Sequence, residues 1–266
     1  MQNIGLMVTC NEADCITEVM DEYIRYFDRI LVLDGSSDGT DRILRSYPQV
    51  KYLLKDSEIL DRLPNHKFED GARQFLLAKA QELFPVEGWF TLLHGDEIFH
   101  DDPNWVAAEA TKARAEKVNW YCMNFFLHTS DRERDLAAIR SVQERVLWYH
   151  PGRIEIRQFR NKPGIHYDLA QRHDVLPRGI GWQIYKHFPI FKHYPYRSVE
   201  QVLGKKQQHI ASGFSNSYKP FSDPESVFLE RLAGYKVVRK YDGSFHEFEL
   251  KSQGSLFRRW LRAHRY

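Results

Sequence analysis

Only three cysteines occur in 266 residues, Cys10, Cys15 and Cys122, with no even set and no CxxC pair. That excludes a disulfide framework and reads as a reduced, cytosolic chain with small buried thiols. No apolar run approaches the ~18–20 residues needed to cross a bilayer. The opening Met1-Gln2-Asn3 lacks the basic segment of a signal peptide, and Ile4–Val8 is too short for its apolar core. Net charge is scarce as well. Against 36 Asp and Glu stand 38 Lys and Arg, leaving +2, which argues against a nucleic-acid binder. The twelve histidines include no HExxH and no HxH pair, so a dedicated zinc site has no motif. Internal repeats, low-complexity tracts and a Gly-rich phosphate loop are all missing.

What is present is enough for a core. Hydrophobic residues make up 42% and charged residues 28%, the balance of a folded chain rather than a disordered one. The first third alternates strand and helix signals. Ile4–Val8, Ile30–Leu33, Lys51–Leu54 and Trp89–Leu93 are short apolar runs that read as strands. Between them, Ile16, Val19, Met20, Tyr23, Ile24 and Phe27 recur at helical spacing, as do Phe68, Ala72, Phe75, Leu76, Ala80 and Leu83. A short helix over Asp41–Tyr47 follows the turn-rich Asp34–Thr40. Buried strands separated by amphipathic helices predict an α/β fold with a mostly parallel sheet and helices on both faces. After a helix at Trp105–Lys117, strands are expected at Asn119–Leu127, Arg145–Tyr149 and Ile154–Phe159. A helix capped by Ser198 is expected over Ser198–Ser212. The chain reads as one domain, 1–266, with halves at about 1–118 and 119–230 and a basic tail from about 231.

Ligands of such sheets bind outside the carboxyl ends of the strands. Three polar clusters fall there: Thr9-Cys10-Asn11-Glu12, Asp34–Asp38 and His94-Gly95-Asp96-Glu97. Asp96 follows a buried strand and a glycine, so its carboxylate can reach a ligand. Hard oxygen ligands suit Mg²⁺ or Mn²⁺, which commonly bridge to phosphate oxygens. Spacing alone fits solvated loop acids equally well. Asp38 also reads as a helix cap, and Asp34 as either a ligand contact or a turn residue.

Together these segments resemble the nucleotide-sugar-binding half of family 2-type glycosyltransferases of the GT-A fold. The resemblance is carried by Ile4–Glu12, by Leu33-Asp34-Gly35-Ser36-Ser37-Asp38-Gly39-Thr40, by Asp70-Gly71-Ala72-Arg73 and by Trp89–Glu97, which is similar to a D-x-D-E motif. Farther on, His193-Tyr194-Pro195-Tyr196-Arg197-Ser198-Val199-Glu200-Gln201 resembles a signature of bacterial members, including those building lipopolysaccharide core. The resemblance implies that Thr9 and Glu12 lie near the nucleobase and Asp34 near base or ribose; Asn11 and Asp38 are further candidate nucleotide-sugar contacts. It implies that Asp70 and Arg73 line the nucleotide pocket. Asp96 would hold the divalent metal, Mn²⁺ or Mg²⁺, with His193 completing its coordination. His94 occupies the place of the first Asp of D-x-D, where an imidazole can still contact a ribose hydroxyl.

Family 2-type enzymes invert, so the resemblance also implies a carboxylate base facing the acceptor. Asp168 is the first candidate and Asp174 the second, with His166 and His173 as alternatives. Trp148, Tyr149, Tyr167, Trp182, Tyr185, Tyr194 and Tyr196 could stack on sugar rings or pack in the core. Residues 231–266 carry nine Lys and Arg and three Asp and Glu. Their last eleven residues suit either an anionic membrane surface or packing on the domain. The expected activity is transfer of a sugar from a nucleotide-diphosphate donor to a glycan or lipid-linked acceptor, in the cytoplasm or peripherally at the inner face of the membrane. A non-catalytic module keeping the same fold, and a nucleotidyltransferase, are the rival readings.

Overall fold

The computed structural model describes residues 2–64, 71–85, 88–169, 177–211, 225–229 and 238–245. Asp70, His173, Asp174 and most of the basic tail, 231–237 and 246–266, lie outside the described residues. The chain divides into two compact units. The first comprises Met1–Tyr121 and Glu155–Lys192, the second Cys122–Ile154 and His193–Tyr266.

The first unit opens with β1 (Asn3–Thr9), α1 (Ile16–Tyr23), β2 (Ile30–Asp34), α2 (Thr40–Arg45) and β3 (Val50–Lys55). Then come α3 (Arg73–Leu83), β4 (Gly88–His94), β5 (Glu97–Phe99) and α4 (Pro103–Lys112). Three longer strands, β6 (Lys117–Phe126), β7 (Trp148–Asn161) and β8 (Ile190–Tyr196), contribute residues to both units. Strand order is β3-β2-β1-β4-β7-β6-β8-β5. β1 pairs in parallel with β2 on one side and β4 on the other, and β2 with β3; β4 meets β7 antiparallel.

β1, β2 and β4 are buried along nearly their whole length because both faces are covered, whereas β3 at the edge buries only Leu54. Ile4 and Leu6 of β1, Leu31 and Leu33 of β2, and Phe90 and Leu92 of β4 share one cluster with Leu76, Leu77 and Ala80 of α3. The period of two puts them on one sheet face. α1 turns Ile16, Val19, Met20 and Tyr23 inward. It stops at Tyr23 rather than reaching Phe27, and the turn that follows still delivers Phe27 to the core.

Several elements depart from the sequence pattern. α4 starts two residues earlier than expected, because Asp102 caps it by accepting from the N–H of Asn104 (2.7 Å) and Trp105 (3.2 Å). It stops at Lys112, with Arg114 in the left-handed region (φ 55°), so Lys117 begins a strand instead of ending a helix. β5 and β8 were not anticipated. The two strands expected around Pro151-Gly152 are one, β7: within the second unit a Cβ at position 152 would overlap the Asn124 side chain, so glycine lets the strand run on beside β6.

The second unit also holds α5 (Val142–Arg145), where a strand start was expected, α6 (Val199–Ala211) and β9 (Arg239–Lys240), which pairs with Trp148 and Tyr149 of β7. Ser198 Oγ accepts from Gln201 N (3.1 Å), the expected cap of α6. Among the described residues no helix is long and apolar enough to cross a membrane.

Candidate active site at the carboxyl edge of the sheet

The strand order reverses at β1. The chain runs β1, β2, β3 to one side, and β4 then returns to the other, so the gap between β1 and β4 is a topological switch point. Register fixes what gathers there. Thr9 is paired with Asp34, Asp34 with Lys55, and Val8 with His94. Parallel neighbours lie ~4.8 Å apart, so four strand ends deliver Thr9, Asp34, Lys55 and His94 to one edge of the first unit.

The loops after β1 and β2 are laced together. Asn11 adopts the left-handed conformation (φ 58°), which asparagine tolerates better than most residues. Its N–H donates to Ser36 Oγ (2.8 Å), and its Oδ1 accepts from Ser37 N (2.8 Å). Glu12 N donates to Thr40 Oγ1 (3.0 Å). Asp38 accepts from Ala13 N (3.0 Å), Thr40 N (3.0 Å) and the Thr40 hydroxyl (2.6 Å). Partial burial pushes the Asp38 carboxyl up, but these hydrogen bonds outweigh it and hold the group below the usual aspartate range. Asn11 and Asp38 thus tie two loops together. Asp34 is fully buried, paired with Lys55 Nζ (2.5 Å) and accepting from Ser36 N (3.1 Å).

The β4–β5 turn brings in the second cluster. Gly95 packs directly on Thr9 and Glu12, and its carbonyl accepts from Cys15 Sγ (3.3 Å). Thr9 Oγ1 is buried and has no hydrogen-bond partner among the described residues. A Cβ at position 95 would overlap Thr9 Oγ1 and come within 2.9 Å of Glu12 Cγ. Gly95→Ala is therefore expected to cost about 1–3 kcal/mol of stability. It should also weaken ligand binding at this edge; thermal melts and nucleotide titration of the variant check both.

Asp96 and Glu97 are both buried, at 5% and 4% exposure. His94 is half-buried. Its Nδ1 lies 3.1 Å from Glu97 Oε1, and its Nε2 3.2 Å from an Arg73 Nη. Arg157, from β7, donates to Glu97 (2.5 Å) and Glu155 (2.6 Å) and lies over the Phe191 ring. Burial pulls the His94 pKa down to about 4, against the pull of Glu97, so the imidazole is neutral at pH 7. His94, Asp96 and Glu97 place one ligand atom each within 4.8 Å of one another, as do Glu12, Asp14 and Cys15. Glu97 Oε1 is already engaged twice. A hard cation that also binds phosphate needs only one or two carboxylates, and Asp96 supplies one.

Other expected residues fall as follows. Asp168 pairs with Arg178 (2.9 Å), and its backbone lies against Gly71, two residues before Arg73. Gly71 has φ 74°, so this close approach needs glycine. His193 lies in the second unit, its Nδ1 2.8 Å from Asn124 Oδ1. Of the seven aromatics considered for sugar stacking, Tyr149, Tyr167, Tyr185 and Tyr194 are core residues, whereas Trp182 is 83% exposed. Lys55 and Arg157 were missed. Lys55 was legible, since the residue ending β3 must share the edge with Asp34. Arg157 sits mid-strand, and only long-range pairing reveals it.

A doubly covered α/β sheet with acidic and basic side chains gathered at its switch point defines the architecture of a GT-A transferase. The chain belongs to glycosyl transferase family 2, whose profile matches residues 6–173. No curated protein sequence matches it. Among solved structures it is similar to S. aureus TarS 1–349 in complex with UDP-GlcNAc, at 16% identity and TM-score 0.35, over 50% of this chain and 36% of that one. This chain therefore spans about a third of that protein. It is also similar to mannose-1-phosphate geranyltransferase from Thermus thermophilus, at 15% identity and TM-score 0.31, covering 85% and 67% of the two chains. The third is a glucose-1-phosphate thymidylyltransferase from Bacillus anthracis, so described provisionally, in complex with a sucrose. Its values are 12% identity and TM-score 0.27, with 96% and 94% covered.

Proposed function

We propose that the protein transfers a sugar from a nucleotide-diphosphate donor to a hydroxyl of a glycan or glycolipid acceptor, with inversion and with a divalent cation. One observation carries this reading: in a family 2 chain, the register of β1, β2 and β4 gathers Thr9, Asp34 and the His94–Glu97 turn at one switch point. Thr9 and Glu12 face the base, and Asn11, Asp34 and Asp38 shape its loop. Asp96 would hold Mn²⁺ or Mg²⁺, and the ion would supply Lewis-acid neutralisation of the diphosphate charge. Asp168 takes the proton of the acceptor hydroxyl as its oxygen bonds to the anomeric carbon. The bond from that carbon to the diphosphate breaks, and its electron pair leaves with the diphosphate.

The test is a melting-temperature screen of UDP-, GDP- and dTDP-sugars with and without Mn²⁺, with a CMP-sugar, which carries no diphosphate, as the control. At a hundredfold excess over Kd, a true donor stabilises the fold by about 2.7 kcal/mol, a shift of several degrees. The same donor should release nucleoside diphosphate once an acceptor is added. A panel in which no sugar nucleotide moves the melting point would overturn the donor site.

A further inference from the structure

The residue in the place of the first D-x-D acid has partners that decide what it does. Ionised Glu97 can only accept, so His94 Nδ1 must carry the proton it shows to Oε1. Arg73 can only donate, so Nε2 must be bare and accept from it. The tautomer is set by geometry. Arg157 favours neither nitrogen. One Nη lies 3.4 Å from Nδ1 and 3.3 Å from Nε2, so it sits across the ring rather than on one lone pair. Its other Nη binds Glu97 and Glu155. With its side chain only 3% exposed and Phe191 against its guanidinium, Arg157 is fixed in place.

Both ring nitrogens of His94 are therefore committed to protein groups. Coordinating a cation through Nε2 would require Arg73 to leave.

We infer that His94 is a positioning residue and not a metal ligand: backed by Glu97 and Arg157, it holds the Arg73 guanidinium where it meets the donor diphosphate, giving the site a metal-independent share of diphosphate binding beside the cation at Asp96. This rests on the donor-site reading above and deepens it. A carboxylate at position 94 would give the cation a second acid. The imidazole gives the pyrophosphate a protein cation.

The experiment uses UDP and GDP as probes, titrated calorimetrically in EDTA and in Mn²⁺. Mn²⁺ affinity is read separately from the free-ion electron paramagnetic resonance signal. Wild-type protein should bind one of the two diphosphates in EDTA. Arg73→Met should weaken that binding about tenfold or more, the loss of one charge-assisted contact, while leaving Mn²⁺ affinity unchanged. His94→Asp should tighten Mn²⁺ and weaken binding in EDTA. Arg157→Met should act like Arg73→Met, with partial rescue by Arg157→Lys. Circular dichroism checks that each variant folds, and if the Arg157 variants do not, Arg73→Met and His94→Asp decide alone. The clamp is overturned if binding requires Mn²⁺, if Arg73→Met leaves EDTA binding intact, or if Arg73→Met tightens Mn²⁺, as expected of a freed His94 ligand. No diphosphate binding with or without Mn²⁺ overturns the donor site and the clamp together.

Discussion

Asp96→Asn is expected to lower kcat about 10²–10³-fold at saturating donor and Mn²⁺, the usual cost of removing one electrostatic stabiliser of developing charge. Asp96 follows β4 and Gly95 at the switch point and is 5% exposed. Its partners on the same turn are poor substitutes. Glu97 is held by Arg157 and His94, and His94 is neutral. Asparagine keeps the shape and removes the charge that, on the proposed reading, would hold the cation. The change therefore falls on the transition state, where charge accumulates on the leaving group. Steady-state kinetics checks it. A variant with kcat within about threefold of wild type, far short of that loss, would place the metal elsewhere. Nucleoside diphosphate binding in EDTA should survive in this variant, because Arg73 is untouched.

Lys55→Met is expected to cost about 3 kcal/mol of stability, because it strands a buried carboxylate. Asp34 has no exposed surface, and of the two groups that meet its carboxylate among the described residues only the N–H of Ser36 would stay. For a chain of this size that loss lowers Tm by about 6–12 °C. The double variant Asp34→Asn/Lys55→Met should recover most of it, since a neutral pair no longer buries an unpaired charge. The pH dependence follows from Lys55 itself. Partial burial pulls its pKa down, but the hydrogen bond and charge of Asp34 outweigh that and raise it. A raised folded value means the contribution is whole below the ordinary lysine pKa and fades only as pH rises through the folded one. The gap between wild type and Lys55→Met should therefore be flat across neutral pH and narrow in alkali. Equal stabilities at pH 7 would mean that the pair adds nothing net.

The nucleotide half was legible because its signals are local. Buried parallel strands are continuous apolar runs, so β1, β2 and β4 could be read within one or two residues. The polar clusters at their ends then had to share an edge. The later strands were harder. β7 runs through Pro151-Gly152, which reads as a break, and its continuity depends on Gly152 fitting beside Asn124. β5 is three residues long, too short for any periodicity to show. Asp38 read as a ligand contact or a helix cap and Asn11 as a ligand contact, and both side chains brace the β1 and β2 loops.

Hydrophobic periodicity and residue chemistry alone determined that the first third of this chain builds parallel α/β strands with acids at their ends, since burial of both faces admits few other patterns. Only the tertiary structure decided which of those acids are already spoken for. Lys55 claims Asp34, and Arg157 and His94 claim Glu97. Those pairings join residues 21 and 60 positions apart for the two salt bridges. Separations of that kind leave no trace in local spacing, because the chain brings such groups together only when the strands that carry them come into register.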